Sequence, residues 1–318
     1  MWALAAKPLL GWGVAEVYAA VSVLCGGVFV YLALRLASEV GRSTPERVLV
    51  AGFLLTTGAM QLFFGYVENY TIISVGVVAF LWLGLRVLRG EAPLWGATLA
   101  LSLTNAFHPS TVVLWPAALY LAWRTHRRGR SALAVGLDVL LPPLVVAAGV
   151  LTLMELGNHG LDALLGDDRP GGGDHIWFVP LLRTTTEWER YTLFAPAHFL
   201  DWGNELLLTS VFGVFSLLVA GWRVGRRPRP TAGGETFAFL GASAGAYLLL
   251  TFLWNADYGI RKDWDLFAPS AFAVSLLAAW LWIRALPDEE SRAQATLLIV
   301  SVSALHTVAW VLFNAFPS

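Results

Sequence analysis

Residues 14–37 read VAEVYAAVSVLCGGVFVYLALRLA, and between Glu16 and Arg35 the run carries no charged side chain. A helix of about 20 apolar residues spans the hydrocarbon core of a bilayer, so this stretch reads as one membrane crossing. Its two charges sit near opposite ends, the acid first and the arginine last.

The pattern recurs along the chain. Apolar segments run roughly over 14–37, 47–66, 71–88, 93–107, 110–124, 132–156, 204–222, 236–255, 266–286 and 293–315. The fourth and fifth are short and flank His108-Pro109, so they read as two crossings or as a broken, re-entrant pair. Pro142-Pro143 should kink the sixth, because each proline removes a backbone donor. The expected fold is therefore all-α: a polytopic transmembrane bundle of about ten spanning helices, forming a single integral membrane domain over 1–318.

Composition agrees. Hydrophobic residues make up 57% of the 318 and charged residues 14%, too little charge to coat a water-soluble globule of this size. Fifteen tryptophans suit a membrane–water boundary, and Trp82, Trp95, Trp123, Trp222 and Trp254 fall near segment ends. The single cysteine, Cys25, excludes an internal disulfide and a cysteine-based metal cluster. A net charge of −1 leaves no nucleic-acid footprint. The start, MWALAAKPLLGWG, is not that of a cleavable signal peptide, so the first crossing is expected to act as the insertion signal.

Orientation follows from the loops. Arg35, Arg42, Arg47, Arg86, Arg89, Arg124, Arg127, Arg128, Arg130, Arg223, Arg226, Arg227, Arg229, Arg284 and Arg292 fall on one side, and only six of the 21 cations on the other. The positive-inside rule makes the first side cytoplasmic and puts both termini outside. Fourteen of the 22 acids, and every histidine except His126, lie on or near the outer side. That side also carries one long loop, about 157–203, whose apolar pieces HIWFVPLL and APAHFLDW suggest short interfacial helices. A loop of this length is more often functional than not. Gly241 and Gly245 have the small-xxx-small spacing that lets helices approach closely.

The candidate chemistry therefore gathers on the outer side. GYVENY (65–70) places Glu68 in a tight turn among Tyr66, Asn69 and Tyr70. A carboxylate half-buried among aromatics suits a general base, and the bland alternative is a polar hairpin. NAFHPS (105–110) sets Asn105 and His108 at a helix end, either to bind substrate or as an ordinary helix stop. NADYGIRKDWDLF (255–267) packs Arg261 and Lys262 beside Asp263 and Asp265, between Tyr258 and Trp264. Cations on the outer side need compensation. A bound phosphate would supply it, and so would the neighbouring aspartates. GDDRPGGGDH (166–175) offers Asp167, Asp168, Asp174 and His175 as hard ligands for a divalent cation, or is simply a flexible loop. Arg183, Glu187, Glu189 and Arg190 line the same vestibule or pair with one another.

With these residues in view, the chain resembles polytopic glycosyltransferases of the GT-C superfamily. The closer likeness is to bacterial multi-spanning proteins with strings similar to FFGYVENY (63–70) and RKDWDLFAP (261–269). It extends from about residue 11 to the last segment. The resemblance implies an enzyme of the bacterial cytoplasmic membrane that moves a sugar from a polyprenyl-phosphate carrier to a glycan, lipid or protein acceptor on the extracytoplasmic face. It implies a carboxylate base, for which Glu68, Asp263 and Asp265 stand as candidates, and cations on the leaving lipid phosphate, for which Arg261 and Lys262 stand. Asn69, Tyr70, Asn105, His108, Arg183 and Tyr258 complete the expected substrate contacts. The resemblance specifies no cofactor, and a divalent cation would fit. Against the superfamily's usual layout, the chain is expected to lack the first helix and first outer loop.

Three other readings stay open. A surface-polysaccharide ligase or polymerase would depend on Arg183 or His175. A transporter would carry charges near the middle of its helices, where Asp138 is the main exception and is expected near the cytoplasmic end. A non-catalytic subunit would need none of these side chains.

Overall fold

The computed structural model describes residues 7–157, 176–226, 233–256, 259–286 and 288–316. In chain order the helices are α1 (Lys7–Leu10), α2 (Val14–Val40), α3 (Thr44–Leu55), α4 (Tyr70–Arg89), α5 (Leu94–Phe107), α6 (Trp115–Arg127), α7 (Ala132–Leu156), α8 (Pro196–Thr209), α9 (Gly213–Gly225), α10 (Gly234–Leu253), α11 (Trp264–Ala285) and α12 (Glu289–Ala315). Short 3₁₀ turns occupy Gly58–Phe63 and Pro109–Leu114. Among the described residues there is no strand, only an isolated bridge between Phe178 and Trp254.

The ten expected segments divide into three kinds. Six helices, α2, α4, α7, α10, α11 and α12, are each long and apolar enough to cross a bilayer. Helices α3, α5 and α6 are shorter rods, two of them extended by the 3₁₀ turns. The segment expected at 204–222 is not one straight crossing: α8 and α9 meet at 93°. Ser210 leaves helical geometry there (φ −154°, ψ 93°), and its hydroxyl is hydrogen-bonded to Ser275 of α11 at 2.8 Å in the buried core. The apolar window hid this break because the bend is held by a partner far along the chain. Helix α7 runs unbroken through Pro142 and Pro143.

Large apolar side chains cover the outside. Leu133, Leu144 and Leu153 on α7, and Leu297 and Leu305 on α12, are each more than 60% exposed. Water would make such a surface costly and hydrocarbon would not, so the bundle is an integral membrane protein. Within it, α11 is the hub. Trp264 to Leu281 are buried on nearly every side except at Leu266, and α11 packs against α3, α4, α8, α9 and α10. Phe272 seats on Phe29 of α2 with ring centroids 4.5 Å apart. With 22 residues, α11 is roughly 30 Å long. It carries Asp265 in its first turn and Arg284 in its last, so one buried helix joins the two ends of the bundle.

Those ends have opposite character. One cavity is lined by residues from 38–47, 85–89, 120–124, 233–236 and 280–284, which brings five arginines from four of these stretches to one end. Asp138 lies near this end, paired with Arg130 at 2.9 Å. The turn 64–69 meets the start of α11 at the other end, through the Tyr66 hydroxyl on Asp265, and there the Asn69 amide donates to the Phe107 carbonyl at 2.9 Å. Helix α5 therefore reaches the acidic end, and α6 runs back toward Arg124 at the arginine end.

Two expectations about the surface are corrected. Of the piece HIWFVPLL, the described part 176–182 does not form an interfacial helix: 176–195 is irregular throughout. Pro180 lacks an N–H, and the backbone pairs instead with the end of α10, through Val179 N to Leu253 O at 2.8 Å and Asn255 N to Trp177 O at 3.0 Å. APAHFLDW does enter a helix, α8, with Pro196 in its first turn. Gly241 and Gly245 do not mediate close helix packing within the chain, since a Cβ at either position would meet nothing within 4 Å.

Candidate active site

The acidic end is built from two turns and a helix. Gly58–Phe63 leads into the turn 64–69, whose backbone is held by a buried serine of α2. Ser22 Oγ accepts from Gly65 N (3.0 Å) and Tyr66 N (3.2 Å) and donates to Leu62 O (2.7 Å). This satisfies peptide groups that have no helical partner. The Tyr66 ring then lies edge-on to Trp264, 5.4 Å between centroids, and its hydroxyl donates to Asp265 Oδ2 at 2.8 Å. The second Asp265 oxygen accepts from Leu266 N at 3.0 Å. A carboxylate in the first turn of α11 is also favoured by the helix dipole.

Glu68 sits on the wall of an open cavity of about 440 Å³, together with Gln61, Phe64, Tyr66, Val311 and Asn314. Partial burial, and then the negative charge of Asp265, raise its pKa above the ordinary glutamate value. Burial also pushes up the Tyr66 phenol, and Asp265 adds to the effect, so Tyr66 is a hydrogen-bond donor throughout the neutral range.

The second turn presents the cations. Gly259 has a left-handed φ of +85°, and its carbonyl accepts from Lys262 N (2.8 Å) and Asp263 N (3.1 Å). A Cβ on Gly259 would fall 2.5 Å from Arg190 Cζ. The left-handed backbone requires the glycine, and the Arg190 guanidinium lies against it. Arg261 and Lys262 are exposed at the tip, one turn before buried Asp265. Asn255, 4% exposed, anchors the start of the turn by donating to Ile176 O at 3.3 Å.

Sequence reading missed two residues here. Glu205 on α8 is 2% exposed, neither of its oxygens has a hydrogen-bond partner among the described residues, and it lies within electrostatic reach of Asp265 and Asp263. Gln61 faces the cavity with its Oε1 unpartnered. The available signal was the same for both, a polar residue inside an apolar window.

Other candidates are engaged elsewhere. His108 caps the turn Pro109–Leu114: its Nδ1 accepts from Ser110 N at 3.2 Å and lies 2.8 Å from Ser110 Oγ. Its ring is 5.6 Å from that of Tyr70. With its amide nitrogen toward Thr111 Oγ1 (2.7 Å) and Leu101 O (3.1 Å), Asn105 accepts from Trp115 Nε1 at 2.8 Å. Both side chains therefore hold the α5–α6 connection. Glu189, 6% exposed, ties its own loop by accepting from Thr185 Oγ1 (2.9 Å) and Thr186 N (3.0 Å). Arg183 is exposed on that loop. Asp167, Asp168, Asp174, His175 and Tyr258 lie outside the described residues. Among the described residues, no three His, Cys, Asp or Glu side chains converge to hold a metal ion.

No protein-family model matches the chain, and no curated protein sequence does. Its structure is similar to that of the apo oligosaccharyltransferase of Archaeoglobus fulgidus, with a TM-score of 0.49 and 13% sequence identity. The match covers 93% of this chain and 45% of that one, so the chain spans less than half the length of that enzyme.

Proposed function

We propose that the chain is a membrane glycosyltransferase whose reaction takes place at the acidic end, on the extracytoplasmic face. In this reading a sugar passes from a polyprenyl-phosphate carrier to an acceptor hydroxyl. Glu68 accepts the hydroxyl proton as the acceptor oxygen bonds to the anomeric carbon. The bond from that carbon to the phosphate oxygen breaks, its electron pair stays on the phosphate, and Arg261 and Lys262 neutralise the charge. Asp265 raises the basicity of Glu68, and Tyr66 holds Asp265 in position.

The observation that carries this reading is the Tyr66–Asp265 hydrogen bond. It joins the two strings on which the resemblance rests, and it brings a carboxylate of raised pKa and a pair of exposed cations to one end of the bundle. The outward assignment of that end rests on the arginine excess at the other.

The test uses the full chain in proteoliposomes with radiolabelled polyprenyl-phosphate hexoses and pentoses. Wild type should release sugar or transfer it to an acceptor, and Glu68→Gln should do neither while retaining its fold. Full turnover by Glu68→Gln would remove Glu68 as the base. Sugar-independent solute flux through the wild type would replace the enzyme reading with a transporter.

A further inference from the structure

The cavity at the arginine end is larger than the candidate active site, about 1250 Å³, and the proposed reaction does not use it. Five arginines line it, Arg42, Arg47, Arg89, Arg124 and Arg284, against three carboxylates, Glu39, Glu46 and Glu235. Each carboxylate is already matched. Glu39 pairs with Arg89. Glu46 pairs with Arg292 at 3.0 Å and accepts from Arg42 N at 2.7 Å. Glu235 pairs with Arg124 and with Arg128 at 2.5 Å. Among the described residues no carboxylate pairs with Arg42 or Arg47, so the cavity keeps an excess of positive charge.

One of these cations is rigidly set. The Arg284 guanidinium lies over the Trp280 ring, 3.4 Å from its centroid, and a Cβ on Gly233 (φ +103°) would fall 2.7 Å from its Nη2. Gly233 is also the N-cap of α10, and the first turn of that helix, Gly234 to Thr236, lines the same cavity. Stacking and close backbone approach hold the planar fork, while Arg42 stands within electrostatic reach of it.

We infer that this cavity binds the phosphate ester headgroup of an anionic membrane lipid, held by Arg284, Arg42 and Arg47 with the N-terminal turn of α10. A phosphate ester is the anion that suits several arginine forks and a helix N-terminus together. A lipid is favoured over a soluble phosphate by position. The cavity lies at helix ends, where headgroups sit, and is lined by Tyr120 and by Trp123, which is 52% exposed. That pairing of aromatic and arginine marks the lipid interface.

The experiment is native mass spectrometry of the full chain titrated with phosphatidylglycerol, with phosphatidylcholine as the neutral comparison. Phosphatidylglycerol should be retained preferentially. Arg42→Gln and Arg47→Gln, both at exposed side chains and read separately and together, should weaken its binding, the double variant by roughly tenfold. Arg226→Gln removes the same charge from the same end outside the cavity and should leave binding unchanged. Unaltered binding in the double variant, or equal weakening in Arg226→Gln, overturns the site. Displacement of the lipid by millimolar inorganic phosphate or glycerol phosphate would assign the cavity to a soluble phosphate and overturn the lipid assignment.

Discussion

The Tyr66 hydroxyl donates a 2.8 Å hydrogen bond to Asp265 across 199 positions of sequence, tying the turn between α3 and α4 to the first turn of the central helix. Tyr66→Phe keeps the ring on Trp264 and removes only the donor. Leaving a buried carboxylate oxygen short of a partner should cost about 1–3 kcal/mol, read as a lower melting temperature in detergent. Sugar transfer should fall with it. Wild-type melting and wild-type rate together would deny the bond any role.

Glu68 should set the acid limb of the pH–rate profile. Its raised pKa means that ionised base accumulates only at a pH above the ordinary glutamate range. Asp265→Asn removes the neighbouring charge and should move that limb to lower pH. A limb unmoved by Asp265→Asn would exclude Glu68 as the group being titrated.

The same shift has a consequence for stability. The folded protein holds the Glu68 proton more tightly than the unfolded chain, so stability falls as pH rises from the ordinary glutamate value through the raised one. Glu68→Gln removes that penalty. Above this window the variant should melt no lower than wild type, yet transfer no sugar. A clearly lower melting temperature at pH 7 or above would instead make Glu68 a structural residue.

Gly259→Ala should strain the cation-bearing turn twice, through its φ of +85° and through contact with Arg190. The backbone effect alone is about 1–2 kcal/mol. Because the turn ends in Arg261 and Lys262, KM for the phosphate carrier should rise more than kcat falls. Unchanged kinetics with unchanged melting would show that the turn has another way to relax.

Arg261→Gln and Lys262→Gln alter exposed side chains, so each should shift stability by no more than about 0.5 kcal/mol. Each should nevertheless reduce kcat/KM by roughly tenfold or more, the usual loss for a charge-assisted contact to phosphate. Steady-state kinetics on a polyprenyl-phosphate sugar decides it, and undiminished kcat/KM in both would remove the phosphate clamp.

Much of the architecture can be read one residue at a time. The segments 14–37, 71–88 and 132–156 are helices in the structure because an apolar run in lipid must satisfy its peptide groups locally, and only the helix does so within the segment. Arg42, Arg47, Arg89, Arg124 and Arg284, far apart in sequence, likewise gather at one end of the bundle. The site is not local in this way. Glu205 comes within electrostatic reach of Asp265 where α8 packs on α11, and the turn that ends α8 is held by Ser275 on α11. HIWFVPLL has the composition of an interfacial helix, yet its described part, 176–182, is irregular because the end of α10 offers backbone partners. Hydrophobicity and charge are properties of the segment and are legible without a partner. The meeting of Tyr66 and Asp265, with Glu205 in electrostatic reach, and the gathering of five arginines around one cavity, depend on how helices far apart in sequence pack on α11, which no window along the chain contains.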